Sequence, residues 1–104
     1  MGRNGTAGVV YFPIEGEMTI YAVSNLREQI IPAVAEHEEI EIDLSRVTEI
    51  DAAGVQLMVA AKLEAILRSK TLRYVGHSKA VLDIIDLCDL GSFFGDQVVL
   101  HQND

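Results

Sequence analysis

The sequence predicts a single α/β domain. It should hold a mixed, mostly parallel sheet of about five strands in the order β-β-α-β-α-β-α-β, with helices mainly on one face. Three observations predict this. Short apolar runs that alternate every second residue recur between longer segments with helical spacing. Strands joined through helices run parallel. Residues 39–44 carry Glu41 and Asp43 on one side of an otherwise apolar strand. A strand covered by helices on both sides is apolar on both sides, so one sheet face is expected to be largely open. The domain is placed at residues 9–101, between a flexible tail at 1–8 and a polar tail at 102–104.

Residues 9–14, VVYFPI, read as a strand, and Pro13 places it at a sheet edge because proline donates no ladder hydrogen bond. Glu15-Gly16 reads as a short turn and residues 17–23, EMTIYAV, as a second strand, so an antiparallel hairpin is expected. Ser24 is expected to cap a helix starting at Asn25, with Leu26, Ile30, Ala33, Val34 and His37 on its apolar face. Pro32 removes a backbone donor inside that helix and predicts a kink or a loosened turn.

In the strand at 39–44, Ile40, Ile42 and Leu44 share one face. Residues 45–50 read as a polar loop anchored by Val47 and Ile50. Asp51 occupies the N-cap position of the longest helix, and Gly54 in its first turn leaves the backbone open to close approach. Val55, Met58, Val59, Leu63, Ile66 and Leu67 form the expected core stripe of that helix. Gln56, Ala60, Glu64 and Arg68 lie opposite, with Glu64 and Arg68 spaced as an ion pair. Residues 71–76 read as a strand. Ser78 caps a third helix running to Leu90, with Val81, Leu82, Ile85 and Cys88 inward and Gly91 as its stop. Residues 97–101 read as the last strand.

Composition narrows the function. The chain has 104 residues, 49% of them hydrophobic, which fits one globular domain with a modest core. No apolar run approaches the roughly 18 residues that span a bilayer, so no membrane insertion is expected. MGRNGTAG lacks the apolar stretch of a signal peptide, and Met1-Gly2 is only a weak myristoylation signal. The one cysteine, Cys88, has no internal disulfide partner, which suits a reducing cytoplasm. A net charge of −8 repels phosphates, which argues against nucleic acid and points to a protein partner with a basic surface.

Few residues suggest catalysis. Asp43, Glu49 and Asp51 gather three carboxylates near one strand end, the raw material for acid–base work or a divalent cation. A helix cap and two solvated carboxylates explain them more simply, because no second catalytic residue type accompanies them. His77-Ser78 pairs a base with a nucleophile but lacks an orienting partner, so a loop histidine and an N-cap serine are expected. His37, His77 and His101 show no metal-ligand spacing, and no glycine-rich phosphate loop is present, so no cofactor is expected. The apolar stretch from Val55 to Ala61 is broader than a core stripe requires, which marks part of it as an interface.

Residues 42–54, IDLSRVTEIDAAG, resemble the STAS domain family of sulfate transporters and anti-sigma factor antagonists. The family pattern is a strand ending in Asp-Leu, a short loop, then Asp-Ser-Ser-Gly or Asp-Thr-Gly-Gly opening a helix. Gly16-Glu17-Met18 resembles the family's early Gly-Glu-Leu, and the order of elements agrees from about Val9 to Leu100. The runs TEIDAAGVQLMVAAKLEA and VGHSKAVLDIIDL look most like small stand-alone members associated with bacterial chemotaxis or signalling.

The resemblance implies a non-enzymatic partner switch. It points to capture of a kinase-type anti-sigma factor, or a related chemotaxis or signalling protein, through Asp51, Ala52, Ala53, Gly54, Val55, Gln56 and Met58, with Thr19 and Tyr21 alongside. In such switches, phosphorylation of the hydroxyl residue before the glycine breaks the complex by placing charge in a packed interface. This chain departs from the pattern. Ala52 and Ala53 carry no hydroxyl, and Thr19 stands where the family has an acid. The chain is then either held in its binding form or switched elsewhere, with Ser24, Ser45, Thr48 and Ser78 as candidates that also suit caps and turns. A homodimer is compatible with this reading. Two alternatives remain open. IDLSRV also resembles the cytoplasmic STAS subunit of phospholipid-transport ABC complexes, and a small enzyme could use the acidic strand end.

Overall fold

The structure, a computed structural model, describes residues 9–94. Within them the sheet has three strands, paired in chain order and parallel throughout, in place of the expected mixed sheet of about five, because the two strands expected at 9–14 and 17–23 are replaced by one and the last lies outside the described residues. Its strands are Val9–Met18 (β1), Glu39–Ile50 (β2) and Thr71–Val75 (β3). The helices are Val23–Glu36 (α1), Ala52–Leu67 (α2) and Lys79–Leu87 (α3), followed by the single turn Gly91–Phe94 (α4). The tails and the strand expected at 97–101 lie outside the described residues.

The expected hairpin does not form. Residues 9–18 are one strand, parallel to β2, and the chain after Met18 turns into α1 instead of pairing back. Gly16 has φ +91° and lies within β1, next to a break in register. The glycine expected in a short turn serves an irregularity in the ladder instead. Residues 45–50, expected as a loop, continue β2. From Pro13 to Glu15 the partner strand advances from Asp43 to Arg46, and from Gly16 to Glu17 it advances from Val47 to Glu49. Each extra residue in β2 breaks the two-residue alternation while the pairing continues. Pro13 does lie in an edge strand of the described sheet.

One sheet face carries the core. Ile14, Ile40, Ile42, Leu44, Leu72 and Tyr74 are buried with Ile30 and Val34 of α1, Leu57, Met58 and Ala61 of α2, and Val81 and Ile85 of α3. The Tyr74 hydroxyl donates to the Met58 carbonyl at 2.8 Å, joining β3 to α2 inside that core. The opposite face carries the charged side chains of β2, as Glu41 and Asp43 implied. Arg73 sits 3.3 Å from Glu39 and 3.5 Å from Glu41, and Tyr11 donates to Asp43.

Several helix details differ from the sequence reading. Ala22, not Ser24, is the N-cap of α1, and its side chain makes no capping bond. Helix α1 is helical on both sides of Pro32. In α2 the core contributors are Val55, Leu57, Met58, Ala61 and Ala65, while Leu63, Ile66 and Leu67 are exposed, Leu67 by 82%. This helix is apolar around much of its circumference, so composition alone does not fix its inward face. Helix α3 ends at Leu87, and Asp89 takes the left-handed conformation (φ 59°) that Gly91 was expected to supply. Cys88 is therefore exposed and not a core residue. Ser78 caps α3 as expected, accepting from the Val81 amide, and Arg68 binds Glu64 at 2.6 Å.

Candidate functional site

The end of β1 and the start of α2 meet at Asp51. Met18 closes β1 opposite Ile50, and the next residues form a tight turn in which the amides of Ala22 and Val23 donate to the Thr19 carbonyl at 2.8 and 3.0 Å. Asp51 serves both elements. Its Oδ1 accepts from the Gly54 amide at 3.1 Å and its Oδ2 from the Ile20 amide at 2.9 Å. A single carboxylate thus caps α2 and ties the turn at 19–22 to it. These bonds, that of Ile20 foremost, favour the charged form and hold the Asp51 carboxyl below its usual range. Gly54 is buried in the joint, where it lets the helix approach the end of β1.

The joint displays apolar surface. Ile20 is 61% and Tyr21 91% exposed. At the start of α2, Ala52 and Gln56 are exposed and Ala53 half-buried. Between α1 and α2 lies an open groove of 390 Å³ lined by Ile20, Val23, Ser24, Arg27, Ala53, Gln56 and Leu57.

Of the residues singled out from the sequence, Ala53 and Gln56 line the groove, Asp51 ties the turn to α2, and Ala52 and Tyr21 are exposed chain neighbours of Ala53 and Ile20. Thr19, Gly54, Val55 and Met58 belong to the same joint but are buried, so their part there is to position the others. Ile20, Val23 and Arg27 escaped sequence reading. A strand at 17–23 assigns alternate residues to a sheet, whereas a turn and a first helical turn bring these three side chains to one groove. Their spacing Val23–Arg27 is the one signal that favoured a helix face.

The remaining candidates scatter. Asp43 accepts from Tyr11 and from the Ser45 amide at 2.9 Å, while Asp51 lies at the far end of β2, and Glu49 is exposed. These hydrogen bonds, Tyr11's first, hold the Asp43 carboxyl below its usual range, and the same bond raises the Tyr11 phenol. Among the described residues, no three His, Cys, Asp or Glu are grouped as a metal site requires. His77 is half-buried ahead of α3, and His101 is outside the described residues. Of the alternative hydroxyls, Ser78 is engaged as a cap, whereas Ser24, Ser45 and Thr48 are exposed. No helix among the described residues is long and apolar enough to cross a membrane.

Comparison with known proteins gives this geometry a context. The family model described as "Mlab, STAS domain" matches residues 3–100. No curated protein matches the chain. Among solved structures, an anti-sigma factor antagonist from Mycobacterium paratuberculosis is similar with a TM-score of 0.77 at 21% identity, over 97% of this chain and 91% of that one. The anti-sigma factor antagonist SpoIIAA in its unphosphorylated form gives 0.70 at 22% identity, over 89% and 83%. A sulfate transporter family protein from Wolinella succinogenes gives 0.70 at 19% identity, over 85% and 72%. These three likenesses concern the fold.

Proposed function

The chain belongs to the STAS domain family, and on that premise we propose that it is a non-enzymatic regulator. It binds a kinase-type anti-sigma factor, or a related bacterial signalling or chemotaxis protein, through the turn at 19–22 and the start of α2. The observation that carries the reading is the placement of Ile20 and Tyr21. Two large side chains stand in solvent on the turn that the Ile20 amide ties to Asp51, and Ile20 shares a groove with Ala53. Scattered exposed apolar residues are ordinary, but exposed side chains on a turn hydrogen-bonded to the start of a helix and bordering a groove have the character of an interface.

The methyl groups at Ala52 and Ala53 remove the acceptor that a phosphate switch would use at that position. We read the chain as held in its binding form, with no charge to be introduced into the packed contact at this point. A cytoplasmic setting suits the exposed thiol of Cys88. A second reading, a STAS subunit that clamps the ATPase of a phospholipid-transport ABC complex, has the segment at 42–47 in its favour. It differs in the partner and not in the surface.

Ala53→Glu tests the surface. An acid in the first helical turn is favourable to the helix, so the fold should be retained. With wild-type and variant protein as baits in lysate of the source cell, the partner held by the wild type should be missing from the variant. An identical set of captured proteins contradicts the proposed interface.

A further inference from the structure

We propose that the groove between α1 and α2 receives an acidic-apolar protein segment, one large apolar side chain adjacent to a carboxylate, with Arg27 pairing the carboxylate. This deepens the reading above and rests on it: the groove must face the partner. Charge carries the argument. Five of the described cations, Arg46, Arg68, Lys70, Arg73 and Lys79, are ion-paired with carboxylates of the chain, and Lys62 donates to the Leu72 carbonyl at 2.7 Å. Among the described residues, Arg27 alone of the lysines and arginines has no such partner. In a chain with 16 acidic against 8 basic residues, a cation left without any such partner is the exception.

That cation lines the 390 Å³ groove, and it is the groove's one charged lining residue. The volume is at the small end of ligand-holding pockets, which suits one anchoring side chain better than a docked helix. Ile20, Val23 and Leu57 supply apolar wall, and Ser24 and Gln56 supply polar rim. Arginine is among the residue types on which binding energy concentrates in interfaces. A carboxylate brought to Arg27 while its neighbouring side chain fills the apolar wall satisfies both features at once. The overall charge of −8 favours a basic partner surface at long range, whereas this pairing acts at contact.

The test is selection of random displayed linear peptides on the wild-type protein, followed by affinity measurement on Ala53→Glu, Arg27→Glu and Arg27→Lys. The expected result is a set of peptides that lose binding to Ala53→Glu and carry Asp or Glu beside Leu, Ile or Phe. Arg27→Glu should weaken them by about tenfold or more, with Arg27→Lys intermediate. Peptides that depend on Ala53 but lack an acid, or bind Arg27→Glu unchanged, overturn the inference and leave the groove as the partner site. If no selected peptide depends on Ala53, the inference and the groove reading both fall.

Discussion

Gly54 lies so close to Met18 that a Cβ built on it would come 2.1 Å from the Met18 carbonyl oxygen and 2.7 Å from Ile50 Cγ1. The first of these neighbours is backbone of the adjoining strand and cannot swing aside. Glycine is needed here for closeness, not for an unusual φ. The first turn of α2 is thereby seated against the end of β1, and the apolar surface of the turn at 19–22 depends on that seating.

Gly54→Ala should therefore destabilise the fold by about 3 kcal/mol, the upper part of the usual cost of overpacking. Urea unfolding of the variant reads this directly. A loss no larger than that of an exposed helix substitution would show that α2 can move away from β1 without penalty.

Asp51→Ala removes the cap of α2 and the anchor of the Ile20 amide together. We expect a fall in Tm of about 5 °C, in line with the loss of a helix cap in a small domain. We also expect hydrogen exchange at Ile20 and Tyr21 to accelerate beyond the rest of the chain. Asp51→Ser retains a capping oxygen but one too short to serve both elements, so it should recover Tm more than it recovers protection at Ile20.

Asp43 and Asp51 both ionise more readily folded than unfolded. The unfolded chain then binds protons at these positions more tightly. The stability they contribute is fully present above the ordinary carboxylate pKa of 3.8 and is lost as pH falls through the lower folded values. Denaturant midpoints measured down the acid range should fall less steeply for Asp43→Asn than for the wild type. The Tyr11 phenol works in the opposite sense, since its folded pKa is raised above 10.0. Its contribution is present below that value and lost as pH rises through the folded pKa. Asp43→Asn should move the Tyr11 phenolate transition back down, as followed by tyrosinate absorbance.

The features legible in the sequence were those in which one residue type does one local job. Asp51 as a cap, Gly54 as a close-approach position, Ser78 as a cap, the Glu64–Arg68 pair and the charged side of β2 each follow from side-chain chemistry at a fixed spacing. Less legible were features in which tertiary pairing overrode local pattern. Glu15-Gly16 looks like a turn, yet parallel pairing with β2 absorbs it as an irregularity within β1. The extra residues of β2 at 44–49 disguise a strand as a loop. Helix α2 is apolar on too many sides for its inward face to be read from spacing: spacing puts Leu63, Ile66 and Leu67 in the core, whereas Ala61 and Ala65 occupy it. At the candidate site, the start of α2 was legible from its motif. Ile20, Val23 and Arg27 were not, because their grouping depends on the turn after Met18 and on the packing of α1 beside α2.

The most direct test of the central claim is hydrogen exchange of the isotopically labelled protein, alone and in complex with the partner it captures. The account predicts that protection on binding concentrates in residues 19–27 and 52–57, the two sides of the groove. Protection concentrated instead on the open sheet face, at 39–43 and 71–75, would contradict it and place the interface on the opposite side of the sheet.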